Sequence, residues 1–342
     1  MKLKRSLLVL VAVSLLPFSV VSGQPVNWGQ SGEIITGQEK FIKKKYRILP
    51  EEFGAYFLQE HFSKIYQQTS EEFRRSVSFS KFEKLADSFN QEVKSYELQT
   101  RLSIDKHVRR YVWVTAKKTK GIQVVFDKHG IIQALQLVPL MSFPKTDRIY
   151  TNNEYTMPVK VNWMVFWGGT NQLINYHYLS GNQRYAYDLV MMKNGRTHHG
   201  NPKKNKHYYA FGEEVAAPAD GKVIQVVEDV KDNIPGEMNA KQPLGNHVII
   251  EHENGEYSLL AHLKEHSISV NVGDYVERGE VLGICGNSGN SSEPHIHFQV
   301  MDSPDFSEGN SVRIQFKSGK EPIQGDIVKP IISFRNTVDY GD

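Results

Sequence analysis

The chain has 342 residues, of which 39% are hydrophobic and 23% charged, a balance typical of globular proteins rather than disordered or fibrous ones. Lys and Arg number 41 against 38 Asp and Glu, and three of the basic residues lie within the first five positions. The remaining chain therefore has no excess of either sign, which gives no indication of a nucleic acid or an acidic surface as a partner. At roughly 100–200 residues per domain, this length predicts two domains.

Residues 1–23 have the composition of a secretory signal peptide. Basic residues precede an apolar run over 7–21, and small residues suitable for cleavage follow it. The alternative is an uncleaved membrane anchor, but the run is shorter than the ~20 residues that a bilayer needs and contains Pro17. We therefore expect a protein that is secreted or held in the cell envelope, with no stable membrane span after cleavage. The sequence does not indicate an oligomeric state.

Residues 24–45 are polar and end in lysines, and we interpret them as a linker. A helical pattern begins at Pro50, where the run "EEFGAYFLQEHFSKIYQQ" places Phe53 and Phe57 on one stripe. Thr69 and Ser80 are each followed three residues later by Glu, which predicts two capping boxes that begin two further short helices.

After Gln91 the sequence changes to short β-rich runs: "SYELQTRLSI", "RRYVWVTA", "GIQVVFD" and "IIQALQLVPL". Helices followed by an antiparallel meander predict an α+β domain over residues 46–140. This order of elements resembles the small cystatin-like or NTF2-like domains that precede exported enzymes. The resemblance implies an accessory role, either as a targeting or binding module or as a spacer.

Residues 141–158 contain Pro, Asp, Thr and Asn and are predicted to link the α+β domain to a second domain at 159–342. In that second part, short apolar runs such as "GKVIQVVED" and "NHVIIEH" are separated by Gly, Asn and Asp. This pattern predicts a mainly antiparallel β domain. Cys285 has no second cysteine with which to form a disulfide, and its surroundings favour a small buried strand residue over a catalytic thiol.

Four polar residues of this second domain are candidates for a site. His295 and His297 alternate in the strand-like run "PHIHFQV", so both side chains project from one face. The alternatives for this pair are a shared metal or an ordinary polar strand face. His262 ends the apolar run "EYSLLAHL", and Asp188 lies within "RYAYDLV", where an unpaired buried charge would be costly. Histidines and a carboxylate are the donors of catalytic zinc sites.

The runs "APADGKVIQVV", "GNHVIIEHENGEYSLLAHL" and "GNSGNSSEPHIHFQV" resemble the lysostaphin-type (LytM-like) zinc endopeptidases that cut peptidoglycan cross-bridges. The resemblance covers residues 160–302. It implies a small antiparallel β domain with the site in a groove. It also implies that Asp188 and His297 bind Zn²⁺, whereas His262 and His295 act on the attacking water and the substrate carbonyl.

One position departs from the motif of that family, which has His four residues before the Asp. Here Arg184 stands four residues before Asp188. A guanidinium has no acceptor lone pair and cannot bind zinc. Two interpretations follow: a degenerate site without hydrolysis, or a ligand supplied from elsewhere.

His177 is the nearest upstream histidine, and "SGN" at 180–182 is a natural reversal between it and Arg184. If the chain forms a hairpin there, His177 pairs with Arg184 and shares a face with Asp188. We therefore predict that His177, Asp188 and His297 bind Zn²⁺, with Arg184 as a neighbour of the site. The alternative for His177 is an exposed strand residue, because a slip of one residue in register would turn it away.

The resulting functional hypothesis is an exported zinc endopeptidase whose partner is the peptide of bacterial cell-wall peptidoglycan. The alternative is a catalytically degenerate module that binds peptidoglycan or activates another hydrolase. The two hypotheses differ in whether the zinc site is complete.

Overall fold

A computed structural model describes residues 47–330 of the chain. The expected signal peptide at 1–23 and the linker at 24–45 lie outside the described residues, as do residues 331–342. The described chain is mostly antiparallel β, with two large sheets, one two-stranded sheet and a few short helices. Within residues 47–330, no helix has both the length and the apolar character needed to cross a membrane.

The first sheet and the helices before it form what we call the N-terminal unit. Its helices are α1 Phe53–Leu58, α2 Phe62–Gln67, α3 Glu71–Ser76 and α4 Phe79–Asn90, after a 3-10 turn at Pro50–Glu52. Its strands are β1 Tyr96–Ser103, β2 Val108–Thr115, β3 Lys120–Asp127 and β4 Ile132–Pro139, paired antiparallel in chain order. The predicted order of helices followed by a meander is therefore found in this part of the chain.

The helix boundaries differ from the predicted ones. The first helical run is split into α1 and α2 because Glu60 adopts a left-handed conformation (φ 60°) that an α-helix cannot contain. The N-caps of α3 and α4 are Ser70 and Ser78, whose hydroxyls accept from the backbone three residues on. The predicted capping boxes at Thr69 and Ser80 are wrong, because a nearby serine occupies the cap position in each case.

The two faces of the first sheet have different partners. Alternate residues of β2 and β3, such as Trp113 and Val124, are buried against the helices. On the opposite face, Val112 and Val114 form a cluster with Leu173 and Ile174 from a later part of the chain. The sheet therefore lies between its own helices and this later part of the chain.

The second, larger sheet carries the candidate site. Its strands are β5 Tyr150–Tyr155, β6 Trp163–Trp167, β7 Tyr187–Val190, β9 Gly221–Val227, β10 Asn246–His252, β11 Glu256–Leu263, β12 Tyr275–Val276, β14 Ile296–Met301, β15 Ser311–Phe316 and β16 Ile327–Val328. They run in the order β12-β9-β10-β11-β14-β7-β6-β16, with β15 joining β14 to β5. Strands β8 Glu214–Ala216 and β13 Val281–Ile284 form the small sheet. Single 3-10 turns lie at Thr146–Arg148, Tyr176–Leu179, Asn205–His207 and Glu253–Gly255.

The pairing is antiparallel as predicted, except between β5 and β15, which are parallel. Strand β5 falls within the stretch expected to be a linker, so part of 141–158 belongs to the large sheet. Cys285 is fully buried, in agreement with a packing role, and burial raises the pKa of its thiol well above the usual value.

A row of paired residues crosses the middle of the large sheet. Trp167 pairs with Asp188, Asp188 with His297, and His297 with Ala261. Directly paired residues of antiparallel strands project from the same face. The opposite face, with Leu189, Leu260 and Phe298 among its residues, packs into the main hydrophobic core. The row thus presents its polar side chains on the face away from that core.

Candidate metal centre

Three buried side chains converge at the middle of this row: His177, Asp188 and His297. One potential ligand atom from each lies within 4.8 Å of the others, and this is the one such group found among residues 47–330. Asp188 is central, since its Oδ2 lies 3.1 Å from His177 Nε2 and its Oδ1 lies 3.0 Å from His297 Nδ1. The structure therefore brings together the three residues that the sequence predicted as metal ligands.

Strand pairing positions two of them. Asp188 on β7 and His297 on β14 are directly opposite in register, so their side chains are neighbours on one face. His295 immediately precedes β14, and its Nε2 lies 3.7 Å from Asp188 Oδ1. The prediction that His295 and His297 project to the same side is consistent with these contacts.

His177 reaches the site by a different route from the predicted hairpin. It lies on the 3-10 turn Tyr176–Leu179, not on a strand. Asn175 caps this turn: its side-chain oxygen accepts from His177 N at 3.1 Å, and its amide nitrogen donates to the carbonyl oxygens of Gly169 and Ala186 at 3.1 Å. The hairpin prediction is wrong because an Asn side chain provides the local hydrogen bonds that a partner strand would have provided.

Arg184 does not pair with His177, contrary to the predicted register. Its guanidinium carbon lies 3.3 Å from the centroid of the Phe143 ring, a cation–π contact. Residues 184 and 177 are linked only indirectly, through the carbonyl oxygen of Arg184, which accepts from Asn175 Nδ2 at 3.4 Å. The side chain at the position of the missing ligand thus has a separate packing role.

The hydrogen bonds of His297 indicate which of its nitrogen atoms is available for a metal. Gln299 Nε2 donates to the carbonyl oxygen of Asn182 at 2.8 Å, so its Oε1 faces His297 Nε2 at 2.9 Å and accepts a hydrogen bond from it. Nδ1 of the neutral ring is then an acceptor, placed 3.0 Å from the Asp188 carboxylate, also an acceptor. Two facing acceptors require a proton or a cation between them.

These donors fit zinc. Two imidazoles and one carboxylate form a known catalytic zinc set, and a ligating histidine characteristically donates its other ring N–H to a neighbouring acceptor, as His297 does to Gln299. Calcium and magnesium prefer sites built from oxygen atoms. The chemistry of the site therefore favours zinc or a similar transition metal.

The protonation states of Asp188 and His177 favour the binding of a cation. Burial alone would raise the pKa of Asp188, but the charges of His177 and His295 and the close contacts of its carboxylate with His177 and His297 outweigh it and hold that pKa well below its usual value. Burial lowers the pKa of His177, although Asp188 opposes the shift. The site therefore combines an ionised carboxylate with an imidazole that readily loses its proton, as metal binding requires.

His262 and His295 lie beside the donor set, with ring centroids 4.6 Å apart. His262 Nδ1 donates to the carbonyl oxygen of Ser288 at 2.8 Å, and His295 Nδ1 donates to that of Glu293 at 2.8 Å. Each neutral ring therefore has its free lone pair on Nε2. Burial, followed by the charges of His295 and His297, lowers the pKa of His262 well below its usual value. His262 also has a positive φ of 66°, a strained conformation of the kind found at functional sites.

Three residues of the site were not predicted from the sequence. Tyr176 packs against His177 with ring centroids 3.9 Å apart, and its hydroxyl lies 3.5 Å from Asp188 Oδ2. The other two are Gln299, which bonds His297, and Asn175, which caps the turn. Gln299 continues the alternation of His295 and His297 along one strand face, so that signal was available. Asn175 could have been recognised as a turn former two residues before His177.

Residues 206–314 match the family model described as Peptidase family M23. This part of the chain is an M23 peptidase domain. The match includes His262, His295 and His297, and it begins after Asp188. The part of the site that departs from the usual motif therefore lies outside the matched residues.

Three curated relatives illustrate the similarity. An uncharacterized metalloprotease of Buchnera aphidicola subsp. Baizongia pistaciae is 30% identical over 29% of this chain and 25% of its own length. Lysostaphin of Staphylococcus simulans is 33% identical over 32% of this chain and 19% of its own. The peptidoglycan DD-endopeptidase ShyA of Vibrio cholerae is 37% identical over 17% of this chain and 13% of its own. The similarity thus spans a quarter or less of each relative.

The solved structure of the antimicrobial peptidase lysostaphin from Staphylococcus simulans aligns with this chain at 23% sequence identity. The alignment covers 47% of this chain and 52% of the lysostaphin chain. The TM-score of this alignment is 0.27, too low to bear on the fold. The assignment of residues 206–314 to an M23 domain rests on the sequence match.

Proposed function

We propose that this protein is an exported, zinc-dependent endopeptidase that hydrolyses peptide bonds in bacterial cell-wall peptidoglycan. The single observation that carries the proposal is the buried His177–Asp188–His297 donor set, with two further histidines beside it. The substrate class is supported by the M23 match and by the name of the Vibrio cholerae relative. Export belongs to the proposal through the signal-like sequence of residues 1–23.

In this proposal His177 Nε2, Asp188 and His297 Nδ1 hold the zinc ion. Bound zinc would supply a Lewis acid for the peptide carbonyl and lower the pKa of water. Asp188 also contributes the negative charge that keeps the site attractive to a cation once its two histidines are neutral. Gln299 fixes the ring of His297 so that Nδ1, not Nε2, faces the carboxylate.

His262 and His295 move protons. Because Nδ1 of each ring donates to a backbone carbonyl, Nε2 is the atom left to accept a proton from the attacking water. A ring that has become charged can donate a proton from Nε2 to the departing amine, or a hydrogen bond to the developing oxyanion. The low pKa of His262 favours the neutral, proton-accepting form at the start of the reaction.

The alternative, a degenerate module without hydrolysis, is not favoured by the geometry. That alternative arose because Arg184 occupies the position of the usual histidine ligand. In this proposal His177, whose Nε2 lies 3.1 Å from Asp188 Oδ2, takes the place of that ligand. We also treat the N-terminal unit as a separate accessory domain of this enzyme, since it has a hydrophobic core of its own.

The test compares metal content and hydrolysis in the full chain and two variants. We expect about one zinc ion per chain and release of soluble peptide from purified peptidoglycan. His177→Ala should lose both, whereas Arg184→Met, the matched control at the position of the usual motif, should keep both. A wild-type protein that holds no zinc at saturating metal, or a His177→Ala variant that digests cell wall at the wild-type rate, would overturn the proposal.

A further inference from the structure

The ligand His177 belongs to a segment, residues 168–179, that forms the first part of the connection between β6 and β7 and contains no strand. On the side of the large sheet it is held by Asn175, as described above. Its other side does not face solvent: Leu173 and Ile174 are buried, at 7% and 1% exposure. The N-terminal unit covers them.

The apolar part of this contact is closely fitted. Leu173 and Ile174 pack with Val112 and Val114 of β2 and with Leu140, just beyond β4. A Cβ atom placed on Gly121 of β3 would come within 2.6 Å of Leu173 Cδ1. The leucine therefore occupies space that is available only because residue 121 has no side chain.

A polar contact fixes the beginning of the same segment. Gln324, 1% exposed, donates from its backbone to the carbonyl oxygen of Gly168 at 3.1 Å and from its side chain to that of Phe166 at 2.7 Å. The N-terminal unit holds Gln324 in turn, because Arg110 donates to its Oε1 and Thr100 donates to its backbone oxygen. Arg110 and Thr100, which hold Gln324, are buried as well.

Two further contacts connect the N-terminal unit with residues close to the turn that carries His177. Gln172 donates to the carbonyl oxygen of Pro139 at 3.0 Å and accepts from the backbone of Met141 at 3.1 Å. The Arg110 guanidinium lies 5.4 Å from the ring of Trp167, whose edge-to-face partner at 5.4 Å is Tyr176, the residue packed against His177.

We propose that the N-terminal unit is a positioning element of the metal centre. The face of its sheet formed by Arg110, Val112, Val114 and Gly121 holds segment 168–179, and thereby holds His177 against Asp188. The proposal rests on the proposed function in one respect, the assignment of His177 as a zinc ligand. A ligand on the same strand as Asp188 would need no such support, because the strand itself would position it.

The experiment uses variants of the full chain, each altered on one of the two faces of the first sheet. Val112→Ala removes methyl groups from the face toward segment 168–179, and Gly121→Ala introduces a collision with Leu173. Val124→Ala is the matched control: it is a valine of the adjacent strand, equally buried at 0%, but it faces the helices. Zinc affinity is measured by chelator competition, and amide hydrogen exchange of residues 168–179 is measured in the metal-free proteins.

We expect Val112→Ala and Gly121→Ala to weaken zinc binding about tenfold, within the range known for residues that orient a ligand. Exchange in segment 168–179 should rise in both, and Val124→Ala should change neither quantity. Adding Leu173→Ala to Gly121→Ala should restore part of the affinity by relieving the collision. Equal exchange and equal affinity in Val112→Ala, Gly121→Ala and Val124→Ala would overturn the inference.

Failure of the proposed function gives a different result. If the wild-type protein binds no zinc, the assignment of His177 as a ligand fails, and hydrogen exchange still decides the positioning claim. Unchanged exchange at 168–179 in Val112→Ala and Gly121→Ala would then refute it, and a selective increase would support it.

Discussion

His177 Nε2 and Asp188 Oδ2 lie 3.1 Å apart, although one residue is on a 3-10 turn and the other on a strand. This contact joins two backbone conformations that share no strand pairing. His177 can therefore complete the donor set with Asp188 and His297, although it lies outside the usual His-x-x-x-Asp motif, provided that its turn is held firmly.

His295 and His262 should affect turnover more than metal binding. Neither belongs to the donor set, and each has its Nδ1 occupied by a backbone carbonyl. We expect His295→Ala and His262→Ala to retain zinc and to lose about 10²–10⁴-fold in the hydrolysis rate, the usual contribution of a proton-transferring group. Metal analysis and peptide release from purified cell wall measure the two effects. Loss of zinc in either variant would instead assign that residue to the ligand set.

Gln299 should control zinc affinity without touching the metal. Replacement by Met keeps an unbranched side chain of similar length but removes the acceptor for His297 Nε2. We expect Gln299→Met to bind zinc about 10–100-fold more weakly, because the ring of His297 loses its fixed tautomer and orientation. Chelator competition measures the affinity, and unfolding of the metal-free protein checks that the fold is retained. Affinity equal to that of the wild type would show that packing alone orients His297.

Asn175 should affect both stability and the metal site. Asn175→Ala leaves two buried carbonyl oxygens without donors and removes the cap of the turn, which we expect to cost about 2–3 kcal/mol of unfolding free energy. Zinc affinity should fall as well, since the turn carries His177.

Asn246→Ala is the matched control, because that side chain is equally buried at 0% and makes three hydrogen bonds to the backbone, away from the turn. It should lose similar stability in urea unfolding and keep its zinc affinity. If both variants lose affinity equally, the effect of Asn175 is general destabilisation.

Glu293 should make stability depend on pH. Burial raises its pKa from 4.5 to about 7, although a hydrogen bond from Thr197 lowers it somewhat. Between these two values the folded state keeps a proton that the unfolded state releases, so the contribution of Glu293 to stability falls as pH rises through the window and is lost above about pH 7.

Glu293→Gln removes this dependence, and the variant should gain stability relative to the wild type as pH rises from 5 to 8. The gain is at most ~3 kcal/mol, and less because the side chain retains some exposure to solvent. Urea unfolding of the metal-free proteins across this range measures the difference. A difference that is constant with pH would mean that Glu293 is ionised in the folded state throughout.

The sequence by itself determined the features that depend on short-range periodicity. Alternation along "PHIHFQV" placed His295 and His297 on one face, and the apolar run around Asp188 marked a carboxylate that needed a partner. The order of helices and strands in the N-terminal unit followed from the same local patterns. The helix caps were misplaced by one or two residues because neighbouring Ser and Thr residues compete for each position.

Only the tertiary structure decided how His177 reaches Asp188. The residues are 11 apart in sequence, and a hairpin about Ser180 and Gly181 was compatible with that spacing. The actual turn depends on Asn175 bonding to Gly169 and Ala186 and on Leu173 packing over Gly121 of another sheet. The contact between Leu173 and Gly121 joins residues distant in sequence, so no local pattern encodes it. The conformation that buries most apolar surface and satisfies the buried polar groups prevails.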